Sequence, residues 1–473
     1  MIQPFLVLEG VIYMRETETI AAISTALGNG GIHIIRISGP ETFRIIDKVF
    51  KKGKSLRDFC AEKQASHTIH YGYIVDNDVC IDEVMVSLFV SPNSYTTEDV
   101  AEINCHGGSF VAKNILEILV KNGSRVAAPG EFTKRAFLNG RIDLTQAESI
   151  MDIIQSENDY ALKASMNHLR GDIKNDIEIS REKILHDTAF IEAALDDPEH
   201  YSLDGYADKL SETLAEIINN LIKLSDSYDN GKIIKEGIDT AIIGKPNVGK
   251  SSFLNYIMKD EKAIVTDIPG TTRDIIEQRL SLDGIVLNLM DTAGIHKTED
   301  YVESIGVEKS LKAIEDAELI ICMFDASREF DKEDEYVLSL IKDKNAIILI
   351  NKYDIAKFNF DDKVGSDNTR VIYYSTITGQ GYSQLSETIK NMFFDNIIDV
   401  QNETYITNIR HKEAINNAIT SLKLTLQNVN NGMPEDLFTI DLMDAYNYLG
   451  EVTGETVSDS LIDKIFSEFC MGK

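Results

Sequence analysis

The sequence predicts a multidomain chain of α/β and all-α parts, in which an α/β domain is inserted into a discontinuous helical domain and an α+β domain precedes both. Three observations carry this. Apolar strands alternate with helical stretches from about Ile238 to Phe394, the pattern of a mostly parallel sheet. Apolar residues recur at helical spacing between Leu144 and Asp229, and again from Ala414 to Phe466. Short strand-like runs bounded by Gly, Asn and Ser recur between Thr19 and Asn104. The boundaries drawn on this basis are 1–140, 141–237, 238–395 and 396–473.

In the first part, Thr19 to Ile23, Ile32 to Ile37, Val84 to Val90 and Val100 to Asn104 read as strands, and Ser109 to Lys121 as a helix. Gly28-Asn29-Gly30-Gly31 lacks the third glycine and following helix of a dinucleotide fingerprint, so it is read as a turn. Cys105-His106 resembles a catalytic pair, but neighbours on a strand face opposite ways and do not act on each other. In the helical part, Leu144, Ala147, Ile150, Met151 and Ile154 share one face; Ile173, Ile177 and Ile184, then Leu210, Leu214, Ile217 and Leu221, repeat the pattern. Asp196-Asp197-Pro198-Glu199 interrupts it as a solvated interhelix turn rather than a metal site. If one helical domain is split by an insertion, the helices on either side of the insertion should pack together.

The insertion carries the chemistry. Strand-like Thr240 to Ile243 leads into Gly244-Lys245-Pro246-Asn247-Val248-Gly249-Lys250-Ser251 and then a helical stretch from Ser252, which is the order a phosphate-binding loop requires. The glycines let successive N–H groups turn inward, Lys250 reaches the β- and γ-phosphates, and the Ser251 hydroxyl ligates Mg²⁺. Strand-like Ile285 to Met290 ends in Asp291-Thr292-Ala293-Gly294, a sensor of the third phosphate. Ala346 to Ile350 ends in Asn351-Lys352-Tyr353-Asp354, in which Asp354 accepts two hydrogen bonds from guanine. Adenine has no such donor pair and would leave the carboxylate unpaired. Ser375-Thr376, after Val371 to Tyr374, is placed to meet the guanine carbonyl, with Thr376 where G proteins usually have Ala. The insertion is therefore a P-loop GTPase domain. Its remaining nucleotide contacts fall in Thr266-Asp267-Ile268-Pro269-Gly270-Thr271-Thr272, where Thr272 is a second Mg²⁺ ligand.

Ile295 stands where Ras-like proteins have the Gln that orients the attacking water, so another group must place that water. Asn247 offers a carbonyl to a monovalent cation beside the phosphates, where a positive charge would act as an arginine finger does.

Composition excludes other classes. A formal charge of −30 over 473 residues argues against a chain that grips nucleic acid over a wide surface, so RNA contact needs local patches or a basic partner. Five cysteines, at 60, 80, 105, 322 and 470, show no zinc spacing and read as reduced cytosolic thiols. No apolar run reaches the length of a membrane span. Met1 to Tyr13 is apolar without a basic start or cleavage site, which argues against a signal peptide and leaves Met14 as an alternative start.

Several stretches resemble the MnmE (TrmE) family of tRNA-modification GTPases. They include Ile35-Arg36-Ile37-Ser38-Gly39, Asn93-Ser94-Tyr95-Thr96, Cys105-His106-Gly107-Gly108, the run Ala128 to Gly140, Asp143-Leu144-Thr145-Gln146-Ala147-Glu148, and the tail Phe469-Cys470-Met471-Gly472-Lys473. The resemblance implies a folate-binding N-terminal domain that mediates homodimerisation, and a K⁺-stimulated, dimerisation-dependent GTPase in the cytoplasm. It also implies a tRNA substrate and an FAD- and NADH-using partner, MnmG (GidA), in a heterotetramer or larger assembly. Together they would install a carboxymethylaminomethyl or aminomethyl group on C5 of the wobble uridine, with ammonium or glycine as donor. The one-carbon unit would come from 5-formyl- or 5,10-methylene-tetrahydrofolate.

On matching positions the resemblance assigns K⁺ to Asn247, Thr266, Ile268 and Thr271, and placement of the attacking water to Glu303. It assigns folate to Arg36, Glu102, Arg141 and Lys473. Cys470 is either a thiol with a chemical role or a tail residue that only packs. Arg141 stands where the family often has Lys, Met471 where it has a β-branched residue or Leu, and Thr97 where it usually has Gly. The alternative, a ribosome-assembly or signalling G protein acting as a binding switch, is opposed by the single phosphate loop and the lack of a KH-like Gly-x-x-Gly pattern.

Overall fold

The computed structural model describes residues 18–26, 28–259, 278–290, 312–342, 344–364, 370–394, 404–469 and 472. They form two compact units, one of the residues up to Met151 with those from Asn447 onward, the other from Asp152 to Tyr446.

The first unit is built on seven strands: β1 Ile20–Ile23, β2 Ile32–Ser38, β3 Phe50–Lys52, β4 Thr68–Asp76, β5 Val79–Phe89, β6 Val100–His106 and β7 Arg125–Val126. Their order in the sheet is β3-β4-β5-β6-β2-β1-β7, antiparallel throughout except for β1 beside β7. Helices α1 (Thr42–Val49) and α2 (Ser109–Lys121) bury Ile45, Ile46, Ile115 and Leu119 against Ile35, Ile37, Val86 and Ile103 on one face of the sheet. The loop between β4 and β5 is Asn77-Asp78, both left-handed (φ 47° and 66°), which matches a two-residue hairpin whose twist follows that of the strands.

Cys105 points into this core, 3% exposed, and burial pushes its thiol up to about 11. His106 faces outward and holds the Asp82 carboxylate at 2.6 Å. The two share no chemistry, as the strand geometry requires. The Gly30 and Gly107 turns are one feature: the Gly30 N–H donates to the Gly107 carbonyl at 2.9 Å, and a Cβ on Gly107 would lie 2.1 Å from the Gly30 oxygen.

Helices α3 (Glu131–Leu138) and α4 (Leu144–Gln155) follow, joined in this unit by the helix Asp459–Ser467, whose Ile462 and Phe466 pack with Phe469 on Ala136, Leu144 and Ala147. A buried ion network anchors α3. Arg125 pairs in bidentate fashion with Glu131 at 2.6 and 2.7 Å, Glu131 accepts from Arg135 at 2.9 Å, and Arg135 reaches Glu98 at 3.1 Å. The run from Ala128 to Arg135 is therefore largely scaffold.

In the second unit, α5 (Asp159–Arg170), α6 (Asp172–Asp196), α7 (Tyr206–Asp226) and α8 (Tyr228–Glu236) precede the α/β part, and the helix Ile409–Asn430 follows it. That helix packs along α7, with Ser225 Oγ donating to Asn416 at 2.9 Å, so the helices flanking the insertion do meet. The acidic turn lies just past α6, where Asp197 accepts from His200 at 3.0 Å in solvent.

The α/β part has six strands: β8 Ile238–Ile243, β9 Gln278–Leu282, β10 Ile285–Leu289, β11 Leu319–Asp325, β12 Ala346–Asn351 and β13 Arg370–Tyr373. Their order is β13-β12-β11-β8-β10-β9, parallel except for the β9–β10 hairpin. The fully buried central strands β11 and β12 are continuous apolar runs, as a sheet covered on both faces demands. Cys322 sits in β11, buried, and burial raises its thiol pKa.

Gly130, at the start of α3, has φ +66°, and a Cβ there would lie 2.5 Å from the Phe466 carbonyl oxygen. Gly130→Ala should lower stability by roughly 2 kcal/mol or more, combining left-handed strain with the clash. Urea unfolding of the two proteins measures it.

Candidate functional site

The phosphate loop leaves the carboxyl end of β8, in the middle of the sheet, and enters α9 (Lys250–Lys259). Gly244 has φ +146° and leaves no room for a side chain, since a Cβ would meet the Met323 carbonyl at 2.5 Å. Asn247 is left-handed at φ 65°, a conformation that Asn tolerates better than most residues. Lys250 Nζ lies inside the loop, donating to the carbonyls of Gly244 and, at 3.1 Å, Lys245, and burial pushes its pKa down. Ser251 and Ser252 are exposed at the start of α9, and Val248 is buried beneath the loop.

Two strands away, the end of β12 locks onto this loop. Asn351, fully buried, donates from Nδ2 to the Val248 carbonyl at 2.8 Å. Gly249 is the reason it fits: a Cβ there would stand 2.3 Å from Asn351 Nδ2. Lys352 donates to the Asn247 carbonyl at 2.9 Å and to Asp325 Oδ2, at the end of β11, at 2.7 Å. Burial raises the Asp325 pKa, but Lys352 and the Ser327 hydroxyl and amide outweigh it and hold the carboxyl below its ordinary range. Asp354 is exposed in the turn after β12 and accepts from Ser375 Oγ at 2.7 Å, while the Tyr353 ring packs at a tilt against Tyr373, their centres 4.8 Å apart. Thr376 is half-buried next to Ser375.

Lys245 was not singled out by the sequence. It is 7% exposed, and its ammonium sits among Asp331, Glu333 at 3.2 Å and Asp334 at 3.3 Å, at the start of the helix Lys332–Leu340. Burial lowers its pKa, and the three carboxylates more than restore it. Asp325 was missed as well, although it ends an apolar strand as Asn351 does. Thr266, Asp267, Ile268, Pro269, Gly270, Thr271, Thr272, Asp291, Thr292, Ala293, Gly294 and Glu303 lie outside the described residues, as do Cys470 and Lys473.

In the first unit, Arg36 and Glu102 face each other across β2 and β6, joined at 2.8 and 3.0 Å. The Tyr95 ring has the Arg36 guanidinium 5.0 Å from its centre and that of Arg141 at 4.9 Å, and Arg141 also donates to the Tyr95 carbonyl at 3.1 Å. A cavity of about 620 Å³ opens beside it, lined by Arg141, Asn139, Tyr95, Thr97, His67 and Phe89 among others. Arg36 and Glu102 are not in its wall. Gly472 closes on this unit through the Ser24 hydroxyl, which donates to its carbonyl at 2.8 Å.

A parallel sheet with a phosphate loop at its centre, clamped by an Asn-Lys-x-Asp strand end, defines a P-loop protein of the guanine-nucleotide-binding class. Comparison with known proteins places it further. A model of the MnmE helical domain matches residues 144–470, and one of the GTP-binding protein TrmE N-terminus matches residues 19–141. The tRNA modification GTPase MnmE of Lachnoclostridium phytofermentans is 51% identical, over 97% of this chain and all of that protein. Those of Finegoldia magna and Acetivibrio thermocellus are each 47% identical, over 96% and 97% of this chain and all of theirs. The chain belongs to the MnmE family of tRNA modification GTPases. Among solved structures, the G domain of the T. maritima FeoB iron transporter is 24% identical over 32% of this chain and 96% of that one, at a TM-score of 0.24, which carries no weight.

Thr97 is left-handed at φ 62°, in the wall of the cavity. A β-branched residue is strained there, in a backbone conformation that Gly adopts freely. Thr97→Gly should therefore leave stability unchanged or raise it by up to about 1 kcal/mol, against the loss expected of Thr→Gly in an ordinary loop. Thermal unfolding decides the sign.

Proposed function

We propose that this chain binds and hydrolyses GTP as one component of the machinery that modifies C5 of the wobble uridine of certain tRNAs. The observation that carries the reading is the clamp of Asn351 and Lys352 on Val248 and Asn247, which ties the phosphate loop to the strand end that leads into Asp354. One clamped unit thus reads the base and holds the phosphates. Lys250 exchanges its carbonyl partners for phosphate oxygens, and Asp354 accepts from guanine N1–H and N2–H₂ while Ser375 holds its carboxylate.

Ser251 and Thr272 are the proposed Mg²⁺ ligands; Asn247, Thr266, Ile268 and Thr271 are proposed to hold K⁺. The ions supply positive charge beside the phosphates when bound. Glu303 places the attacking water through a second water. Support for the K⁺ site is the exposed Asn247 amide at the rim of a loop whose backbone is fixed by Lys352. For tetrahydrofolate, the cavity beside Tyr95 has the size of a small-molecule site, and Arg141 offers it a cation. Arg36 and Glu102 would act there by fixing the Tyr95 ring, with Lys473 contributing from the tail, and Cys470 would carry any thiol chemistry. The working form is a homodimer joined by MnmG, with the domain boundaries drawn from the sequence. Among the described residues, no helix is long and apolar enough to cross a membrane.

Asp354→Asn should weaken GTP binding by about 100-fold, because a charged acceptor of two hydrogen bonds is lost, while the fold is retained. In the cell, nucleoside mass spectrometry of bulk tRNA should show C5-aminomethyl-type uridines restored by the wild-type chain and not by this variant. GTP turnover at equal protein concentration should be at least about tenfold faster in K⁺ than in Na⁺; equal rates would remove the Asn247 cation site.

A further inference from the structure

The edge of the N-terminal sheet carries a charge that the rest of the chain opposes. Residues 44–63 contain seven Lys and Arg against three Asp and Glu, in a protein of net charge −30. The fold gathers them on one lip. Lys48 ends α1, Lys51 and Lys52 form the edge strand β3, and Lys54 and Arg57 sit on the loop closed by the paired backbones of Lys52 and Arg57. Lys63 ends the short 3₁₀ turn Ala61–Lys63, which packs on α1. Phe59 and Ala61 pin this segment to the core while its cations point outward.

Neutralisation within the lip is incomplete. Lys51 pairs with Asp58 at 2.6 Å, and Arg44 with Glu41 at 2.9 Å. Lys48, Lys52, Lys54, Arg57 and Lys63 have no carboxylate within ion-pair distance among the described residues. Lys48 donates to the Asn122 carbonyl at 3.3 Å, Lys52 lies 5.8 Å over the Phe59 ring and Arg57 donates to Ser55 at 3.1 Å, all leaving the positive charge uncompensated. A lysine or two on an edge strand blunts edge-to-edge pairing. That accounts for Lys51 and Lys52, but not for cations on the helix end, the loop and the 3₁₀ turn.

We infer that this lip is the surface by which the N-terminal unit holds the phosphate backbone of tRNA, a reading that rests on the proposed role in tRNA modification. A polyanion is the partner such a surface fits. Phosphate contacts position without reading sequence, so the lip would orient the tRNA rather than select it. The strongly negative remainder of the chain would confine the contact to this one place.

The test is binding of bulk tRNA to the intact protein by fluorescence anisotropy, across a series of salt concentrations and without folate or K⁺. Lys54→Glu with Arg57→Glu should raise Kd by at least about tenfold near 0.1 M salt, and lower the slope of log K against log salt by about two. Intrinsic GTP hydrolysis and the melting temperature should stay as in wild type. The control, Lys209→Glu with Lys390→Glu, makes the same change in net charge at exposed positions elsewhere and should bind tRNA as wild type does. Equal losses in both variants, an unchanged slope in the first, or no binding by the wild-type chain would each overturn the inference. Loss of K⁺ stimulation or of folate binding would leave it standing.

Discussion

The contact between the Asn351 side chain and the Val248 carbonyl is the constraint around which the nucleotide end of the protein is arranged. It joins the end of β12 to a loop that starts at β8, with β11 between them, so the geometry of three parallel strands fixes where the two motifs meet. Gly249 follows from it, because any side chain would occupy the Asn351 amide. Lys352 and Asp325 extend the same clamp to Asn247. On the far side, Lys245 ties the loop to the helix Lys332–Leu340 through three carboxylates, one of them, Asp334, itself buried. The loop is therefore gripped by side chains from both directions, which is what preorganised phosphate binding requires.

The N-terminal unit solves a different problem with buried charge. Glu131 and Arg135 are 4% and 3% exposed, which would be destabilising for either alone. Each is matched: Glu131 by two guanidinium groups and the Ala128 N–H, Arg135 by two carboxylates. Removing one member would strand the others, so the network fixes the position of α3 and, through Glu98, the loop that carries Tyr95 and Thr97.

Much of this was legible in the sequence because one physical rule sufficed locally. The apolar runs of β8 and β12 and the turn chemistry after them locate the phosphate loop and the Asn351 strand end without tertiary information, and α2 runs from Ser109 to Lys121 as its spacing predicts. The family resemblance gave the two-domain surroundings of the GTPase part. What stayed hidden depends on partners far apart in the chain. Nothing near Lys245 announces three carboxylates some 86 residues on. The strand β4 alternates with Ile69 and Tyr71 toward solvent and His70 and Gly72 buried, the reverse of what the residue types suggest, and its remaining signal lies in the Asn77-Asp78 turn, whose left-handed backbone the residue types permit but do not demand. Arg36 and Glu102 are 66 residues apart and meet only through the β2–β6 register.

The two thiols buried among the described residues have a use as well as an address. Cys105 and Cys322 lie in the cores of different units, with thiol pKa values raised by burial, so neither presents a thiolate to solvent in the folded chain. Reaction with a thiol reagent then has to wait for the surrounding sheet to open. Cys80, on the surface of β5, needs no such opening. The protein thus carries its own clocks, one in the central strand of the nucleotide sheet and one in the N-terminal sheet, with an exposed cysteine as the reference. The labelling rates of the two would report how often each core breathes, independently of the other.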